Sequence, residues 1–170
     1  MAAGYKKKDF IQAKYDFIDK MMEFGDISAA SSSAESPLNV LDVGCGVGGT
    51  SRYLARALPG STVTGITLSP NQVKRAQALA IEQSTPNAKF QVTNALAMTF
   101  PDNSFDVVWA CESGEHMPDK QKYIDEMMRV LKPGGKFVMA TWCQRDDEKV
   151  PFTEKDEKDL RFLYEEWTHP

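Results

Sequence analysis

Apolar residues at helical spacing mark the start of the chain. Four of them recur at intervals of three to four positions: Ile11, Tyr15, Ile18 and Met22. Asp9 precedes this run and is a residue type that caps helices, and Gly25 follows it and is a type that ends them. The pattern predicts an opening amphipathic helix. The next stretch, SAASSSAESP at residues 28–37, contains nothing to bury and is predicted to be a loop.

Five apolar runs then alternate with helical patterns. The runs are rich in β-branched or aromatic residues and lie at 38–43, 62–68, 89–93, 105–110 and 136–142. The helical patterns lie at 50–58, 70–83 and 119–131. Such alternation predicts an α/β fold with right-handed βαβ units and a doubly wound, mainly parallel sheet of about five strands. Residues 93–104, before the fourth run, are too few for a long helix.

The end of the chain combines a capping pattern with an apolar helical face. Thr153 and Asp156 have capping-box spacing. The apolar face that follows is formed by Leu160, Leu163, Tyr164 and Trp167. We therefore expect a C-terminal helix whose apolar face packs on another surface.

Length and charge favour one domain. The chain has 170 residues, 42% of them hydrophobic, enough for a sizeable core. Its formal charge of −4 arises from interspersed charges, with only the KKK run at 6–8 standing out, so no nucleic-acid partner is indicated. We expect a single domain over 1–170, with a core at 38–142 and terminal helices within 1–27 and 153–168.

Cysteine usage and the absence of long apolar runs bear on the compartment. Cys45, Cys111 and Cys143 are odd in number, lack metal-site spacing and lie in or beside apolar runs, which favours reduced cysteines near the core. No run approaches the ~18 apolar residues of a membrane span, and the start lacks a secretory pattern. We expect an intracellular, cytoplasmic protein, with a plastid possible for a longer precursor.

A glycine-rich turn is the first candidate site. Gly44, Gly46 and Gly49 match G-x-G-x-x-G after a strand and before a helix, where backbone approaches a ligand closely. A tight structural turn and a dinucleotide site match the same expression. A dinucleotide site, however, needs an acid about 20 positions later, and the second run ends in GITLS without one.

A carboxylate at the threshold of this turn favours a cationic ligand. Asp42 immediately precedes the glycines, where a negative charge is unhelpful to a pyrophosphate and favourable to a cation. S-adenosylmethionine presents a sulfonium and an ammonium and suits this position better. The alternative for Asp42 is a carboxylate that braces the loop, and the two roles are compatible.

Four segments carry a family resemblance. LDVGCGVGGTSRYLAR, GITLSPNQVKRA, FPDNSFDVVWACESGEHMPDK and VLKPGGKFVMATWC resemble the class I S-adenosylmethionine-dependent methyltransferases, more narrowly the gamma-tocopherol C-methyltransferase group and its plant N-methyltransferase relatives. The likeness covers residues 38–142. It implies a Rossmann-like sheet usually completed by two further strands, which are apparently missing here. The fifth strand could then expose an edge, and a homodimer covering that edge or the C-terminal apolar face is a hypothesis.

The resemblance also implies a set of cofactor-binding residues. Those at the methionine end would be Asp42, Gly44, Cys45 and Gly46, with the Gly44 carbonyl accepting from the ammonium. Those at the ribose would be Thr67, Leu68 and Gln72, with the Gln72 amide replacing the usual acid. Those at adenine would be Asn94, Ala95 and Leu96. The Asn94 amide can bond the adenine edge through its carbonyl or its NH₂ group.

A cluster after the fourth strand is the candidate acceptor side. Glu112, which could also touch the cofactor, is followed one turn later by Glu115 and His116, and all three are candidate catalytic residues. Alternatively, Glu115 and His116 only lead into the helix that Asp119 caps. Three nearby residues are predicted to pack on the sheet: Tyr123, Met127 and Met128.

These patterns together predict a small-molecule methyltransferase. The cofactor would be S-adenosyl-L-methionine, the product S-adenosyl-L-homocysteine and the partner a small methyl acceptor, with a tocopherol-like phenol first. An N-methyltransferase of a small amine (sarcosine/dimethylglycine or alkaloid type) or a cofactor-binding form with little activity is the alternative. A nicotinamide-dependent oxidoreductase is disfavoured because the second strand lacks its acid.

Overall fold

Five parallel strands form one sheet in the computed structural model, which describes residues 9–32, 35–144 and 148–167. The strands are β1 (Asn39–Val43), β2 (Thr62–Thr67), β3 (Ala88–Val92), β4 (Phe105–Cys111) and β5 (Leu131–Ala140), in the order β3-β2-β1-β4-β5. The helices are α1 (Phe10–Phe24), α2 (Gly49–Ala57), α3 (Pro70–Glu82), α4 (Lys120–Val130) and α5 (Glu154–Trp167). The α/β prediction is confirmed, and β3 connects to β4 without a helix, as expected.

Side chains flanking the helices explain where they begin. Asp9 Oδ1 accepts from the amide of Ile11 at the start of α1, and Ser69 caps α3 ahead of Pro70. At α5 the Thr153 hydroxyl accepts from the Asp156 amide while the Asp156 carboxylate accepts from the Thr153 amide. These reciprocal bonds satisfy amides that have no partner within the helix. The predicted caps are confirmed.

Each face of the sheet packs against helices. On one face Val40, Val63 and Trp109 contact apolar residues of α1, α2 and α3. On the other face Leu41 and Val108 contact α4. Because adjacent residues of a strand point to opposite faces, β1 is buried on both sides, as parallel strands usually are. Burial of one such side chain contributes about 2 kcal/mol.

The structure corrects the predicted boundary between α4 and β5. The helix ends at Val130 and β5 pairs from Leu131 onward, five residues before the predicted strand. The KPGG segment lies inside the strand as an irregularity, since Phe105 pairs with Leu131 and Val107 with Lys136. Gly134 takes up the left-handed backbone there (φ +77°). The strand starts early because Leu131 is buried in the α4 face of the core.

Two further predictions about exposure are partly wrong. The segment 28–37, of which 33–34 lie outside the described residues, is not free of buried groups: Ser32 is buried and donates to the Pro59 carbonyl at 2.7 Å. Cys45 and Cys111 are part-buried, but Cys143 is exposed, beyond the end of β5. The lysine run at 6–8 lies outside the described residues. None of the helices described here is long and apolar enough to cross a bilayer.

Candidate active site

The predicted site residues lie along one edge of the sheet. In the sheet order β3-β2-β1-β4-β5, the strands that follow β1 in sequence are first added on one side of it (β2, β3) and then on the other (β4, β5), so the order of the strands reverses between β1 and β4. Ligands of open α/β sheets bind at the carboxyl ends of the strands beside such a point. The glycine turn leaves β1 there, and Glu112 leaves the adjacent β4. The structure therefore brings the two halves of the predicted site together at neighbouring strands.

The glycine turn is anchored to β2 through its backbone. The amides of Gly44 and Cys45 both donate to the Ile66 carbonyl, at 3.0 and 2.9 Å. Gly44 and Gly46 have φ of +81° and +53°, conformations that favour glycine. Nothing lies within 4 Å of the position a Gly46 Cβ would take, so that side of the turn is open.

The glycine that the turn requires most is not the third one of the motif. Gly49 is the first residue of α2 and a Cβ there would meet nothing within 4 Å. Gly48, by contrast, has φ +74°, and its Cβ would lie 2.3 Å from the Phe90 ring. Sequence reasoning missed Gly48 because the motif expression skips it, although the Gly48-Gly49 pair was visible.

Asp42 is enclosed beneath the turn. It is 2% exposed, and its Oδ2 accepts a 2.5 Å hydrogen bond from the Ser51 hydroxyl at the start of α2. Burial raises the pKa of this carboxyl to about 6, while the Ser51 bonds act in the opposite direction. The bracing role foreseen for Asp42 is therefore seen directly. At neutral pH the same group still places a negative charge under the turn.

The thiols near this carboxylate are kept protonated. Burial raises the pKa of the Cys45 thiol, and the Asp42 charge adds to the effect. Burial likewise raises the pKa of Cys111 to about 11. A thiol rather than a thiolate is a poor nucleophile. Neither cysteine is therefore suited to covalent chemistry here.

The end of β2 presents amide and hydroxyl groups where a dinucleotide site would have an acid. The Thr67 hydroxyl donates to Gln72 Oε1 at 2.6 Å and accepts from the Ser69 amide at 3.4 Å. The Oε1 atom of Gln72 already accepts this bond, and its Nε2 group has hydrogens that can be donated to a ligand. Leu68 exposes its side chain beside them.

The loop after β3 begins with a turn made by Asn94. Its Oδ1 accepts from the Leu96 amide at 2.9 Å, and Thr67 O accepts from the amide of Thr93, which joins this loop to β2. The Asn94 carbonyl thus already accepts one bond within the loop, and its NH₂ group has hydrogens that can be donated to a ligand. The Ala95 side chain is buried, so Ala95 could contact a ligand only through its backbone.

Two residues of α4 hold the rest of this loop, and sequence reasoning missed both. Glu126 Oε2 accepts from the Met98 amide at 2.6 Å. Arg129 donates to the Met98 and Phe100 carbonyls at 2.9 and 2.8 Å, and to Glu126 itself at 2.8 Å. These bonds also lower the pKa of Glu126. The spacing of the two residues gave no indication of such a distant partner.

The candidate acceptor-side residues line a cavity of about 600 Å³. Glu112 leaves β4 in the left-handed conformation (φ +50°), and Glu115 Oε2 accepts from the Thr141 hydroxyl at 2.9 Å. Glu115 and His116 belong to a short 3₁₀ turn, Gly114–His116. Polar groups of the wall include Glu112, Glu115, His116 and Lys120; its apolar groups include Met139, Trp142, Leu160 and Leu163.

The C-terminal helix forms one side of this cavity. Leu160, Leu163 and Tyr164 of α5 line it, and the Tyr164 hydroxyl donates to the Gln144 side chain. Leu163 and Tyr164 remain about half exposed. The predicted apolar face thus borders an open cavity instead of a filled core. The side chain of Trp167 lies outside the described residues.

The residues predicted to pack on the sheet behave differently from one another. Met127 and Tyr123 are buried, as expected, but Met128 is 50% exposed because it lies on the outer side of α4. Tyr123 also uses its hydroxyl, which lies 2.9 Å from Ser113 Oγ. Sequence reasoning placed Tyr123 correctly and missed this polar contact.

Comparisons with known proteins agree with the geometry. A family model described as a methyltransferase domain matches residues 41–139. The chain is 50% identical over 163 residues to the 2-methyl-6-phytyl-1,4-hydroquinone methyltransferase of Synechocystis sp., covering 96% of this chain and 49% of that protein. It is 46% identical over 136 residues to the chloroplastic tocopherol O-methyltransferase of Arabidopsis thaliana, covering 79% of this chain and 38% of that protein.

A solved structure shares the fold. Coclaurine N-methyltransferase bound to N-methylheliamine and S-adenosylhomocysteine superposes with a TM-score of 0.70 at 18% identity, and the match covers 81% of this chain and 38% of the other. The chain spans about half or less of the length of the relatives it matches.

Proposed function

The chain belongs to the class I S-adenosylmethionine-dependent methyltransferases, and from that premise we propose that it binds S-adenosyl-L-methionine and methylates a small prenylated phenol. One observation carries the proposal: the backbone turn above buried Asp42 adjoins, across β1 and β4, a largely apolar cavity edged by carboxylates. A cationic methyl donor and an apolar acceptor would meet at that boundary.

The residues present fit the proposed cofactor. The open side of Gly46 admits a ligand against the backbone, and the Asp42 carboxylate below favours a cation. The free amide hydrogens of Gln72 suit ribose hydroxyls, and those of Asn94 suit a ring nitrogen of adenine. We accordingly propose the following contacts: Asp42, Gly44, Cys45 and Gly46 at the methionine end, Thr67, Leu68 and Gln72 at the ribose, and Asn94, Ala95 and Leu96 at adenine.

The proposed chemistry needs positioning and one proton acceptor. When bound, the cofactor supplies a methyl group on a sulfonium, a good leaving group for in-line displacement. The protein holds the acceptor in line and excludes water. A ring carbon gains nucleophilicity when the phenol proton is withdrawn, and His116, Glu112 or Glu115 would accept that proton. After the methyl group moves from sulfur to this carbon, the carbon loses its own hydrogen as a proton and the oxygen regains one, so that the ring is aromatic again and one proton is released in total. Thr141 orients the carboxylate of Glu115 for such a role.

An amine acceptor is the second candidate. Two carboxylates, Glu112 and Glu115, edge the cavity and would attract a protonated amine. The phytyl and tocopherol acceptors named for the two relatives favour a phenol, and the apolar wall suits a prenyl chain. A methyl-transfer assay with prenylated hydroquinones and with sarcosine-type and alkaloid amines separates these candidates. Cofactor binding without transfer to either would indicate a form with little activity.

Calorimetric titration tests the cofactor proposal directly. The chain should bind S-adenosylhomocysteine and not NAD. Asp42→Ala should weaken S-adenosylhomocysteine binding by roughly 1 to 3 kcal/mol, whereas Asp19→Asn, which alters a carboxylate that bonds Tyr53 on the other side of α2, should leave it unchanged. Unchanged affinity in folded Asp42→Ala, or binding of NAD alone, would refute the proposal.

Domain extent, assembly and compartment are further proposals. We propose one domain over residues 1–170 and a dimer through the β5 edge or the α5 face, which light scattering showing only monomer would exclude. The Arabidopsis relative is named as chloroplastic. That name supports a plastid destination for a longer precursor, and imaging of a fluorescent fusion would test it against a cytoplasmic one.

A further inference from the structure

A buried hydrogen-bond chain joins the two halves of the site. Ser113 Oγ donates to the Val43 carbonyl at 2.9 Å and lies 2.9 Å from the Tyr123 hydroxyl. A serine hydroxyl has one hydrogen, which Val43 receives, so Tyr123 must be the donor to Ser113. Ser113 and Tyr123 are 5% and 1% exposed, so water does not compete for these bonds.

The same two residues touch the glycine turn and the acceptor-side loop. A Cβ on Gly44 would lie 2.4 Å from Ser113 Cβ, so the turn rests directly on Ser113. A Cβ on Gly114 would lie 3.5 Å from the Tyr123 ring, so the loop carrying Glu115 rests on Tyr123. Any shift of the loop 112–116 would therefore have to break the hydrogen bonds or open a gap beneath Gly44.

Resting on the proposed function, we propose that Tyr123 and Ser113 are positioning residues that hold the acceptor-side loop 112–116 in fixed register with the glycine turn. Methyl transfer requires donor and acceptor atoms to approach to about 3 to 3.5 Å in line, so a small displacement between the halves lowers the rate sharply. Tyr123 acts as a permanent donor in this role, since burial raises its pKa to about 12.

Either hydrogen bond can be removed by a single substitution, and a matched control variant is available. Tyr123→Phe removes the hydroxyl that donates to Ser113, and Ser113→Ala removes both bonds. Tyr53→Phe removes a hydroxyl that bonds Asp19 on α1 and has a similarly raised pKa, so it controls for loss of a bonded phenol. Thermal melting establishes that each variant is folded.

Amide hydrogen exchange of the full chain, with and without S-adenosylhomocysteine, is the test. In the ligand-free state, exchange at the amides of His116 and Met117, which close the 3₁₀ turn, should be roughly three- to tenfold faster in Tyr123→Phe and Ser113→Ala than in the native chain and Tyr53→Phe. Saturating S-adenosylhomocysteine should slow these amides in the native chain and should protect only the glycine turn in Ser113→Ala.

Turnover gives a second readout. Tyr123→Phe should lower kcat at least tenfold while KM for the acceptor and the affinity for S-adenosylhomocysteine stay within about threefold. The positioning role would be overturned if Tyr123→Phe had the same kcat as Tyr53→Phe and the same rate of amide hydrogen exchange in the loop 112–116. Failure of the native chain to bind S-adenosylhomocysteine would instead refute the proposed function, and the ligand-free exchange rates would still decide whether this hydrogen-bond chain holds the loop.

Discussion

Ser51 donates its hydroxyl hydrogen to Asp42 across 2.5 Å and thereby ties the start of α2 to the end of β1. Both residues are buried. The bond satisfies one carboxylate oxygen but does not offset the cost of burying the charge, because the pKa of Asp42 still rises to about 6. A group that is costly to the ligand-free fold is a reasonable sign of a functional requirement.

The first prediction concerns stability. The pKa of Asp42 in the folded protein, about 6, lies above its ordinary value of 3.8, so the native state binds the proton more tightly than the unfolded state. Its contribution is therefore fully present below about pH 4 and is lost as pH rises through about 6, by about 3 kcal/mol in total. In urea unfolding at a series of pH values, Asp42→Asn should lack this decrease and be more stable than the native chain at pH 7. If the unfolding free energies of the native chain and of Asp42→Asn changed with pH in the same way, this prediction would be contradicted.

The second prediction concerns the pH dependence of binding. Only ionised Asp42 attracts the ammonium of S-adenosylhomocysteine, and with a pKa of about 6 the ionised fraction rises about tenfold between pH 5 and 7. Affinity measured by calorimetry should rise by up to about tenfold over that range in the native chain. It should vary little in Asp42→Asn. A native profile as flat as that of the variant would remove Asp42 from ligand binding.

The third prediction separates the two adjacent glycines of the turn. Gly48→Ala requires a left-handed alanine whose Cβ lies 2.3 Å from the Phe90 ring, and should destabilise the fold by about 3 kcal/mol or more. Gly49→Ala adds a methyl with nothing within 4 Å at the first residue of α2, and should be neutral or stabilise by up to about 1 kcal/mol. Denaturant midpoints compare the stability of the two variants. An equal loss of stability in both would contradict the statement that the turn requires glycine at position 48 and not at position 49.

The strand–helix alternation and the caps were predictable because they depend on local patterns. Asp9, Ser69 and Asp119 each cap the helix that the sequence placed after them. The turn at β1 and its carboxylate were predictable for the same reason, since both lie within one short segment. The early start of β5 was not predictable, because it depends on the burial of Leu131 on the face of the sheet that packs against α4.

The unpredicted parts of the site all depend on contacts between distant residues. Ser113 meets Val43 across 70 positions, and Arg129 meets Met98 across 31. Tyr123 has the helical spacing of a core residue and is buried, so nothing in the local sequence indicates that its hydroxyl bonds Ser113. Exposed Met128 lies next to buried Met127, and only the orientation of α4 separates them.

The fourth prediction concerns the adenine end. Asn94 uses one lone pair of its carbonyl oxygen within the loop, accepting from the Leu96 amide, and its NH₂ group is placed here as the donor to a ring nitrogen of adenine. Asn94→Asp keeps that turn but puts an acceptor oxygen in place of the NH₂ group, and this oxygen cannot donate to a ring nitrogen of adenine. Affinity for S-adenosylhomocysteine should therefore be about tenfold weaker than that of the native chain in both Asn94→Asp and Asn94→Ala. An aspartate variant that binds as tightly as the native chain would exclude this contact.

The fifth prediction concerns the clamp on the loop after β3. Arg129 and Glu126 bond the backbone of Met98, and Arg129 also bonds the Phe100 carbonyl and the Asp102 carboxylate, the last at 2.7 Å. A fork of several donors cannot be replaced by an apolar side chain and only in part by an ammonium. Arg129→Met should therefore expose residues 97–103 to protease about tenfold more than in the native chain, with Arg129→Lys intermediate.

The clamp should matter to binding because Asn94 and Leu96 lie in the same loop, which continues directly into Met98. We expect Arg129→Met to weaken S-adenosylhomocysteine by roughly three- to tenfold. The control Arg56→Met removes an exposed guanidinium on α2 that makes a 3.5 Å contact to Gln83, and should change neither cleavage nor affinity. Limited proteolysis with mass analysis and calorimetry measure the two effects. If cleavage rises and affinity does not, the loop is held by Arg129 but does not contribute to the cofactor site.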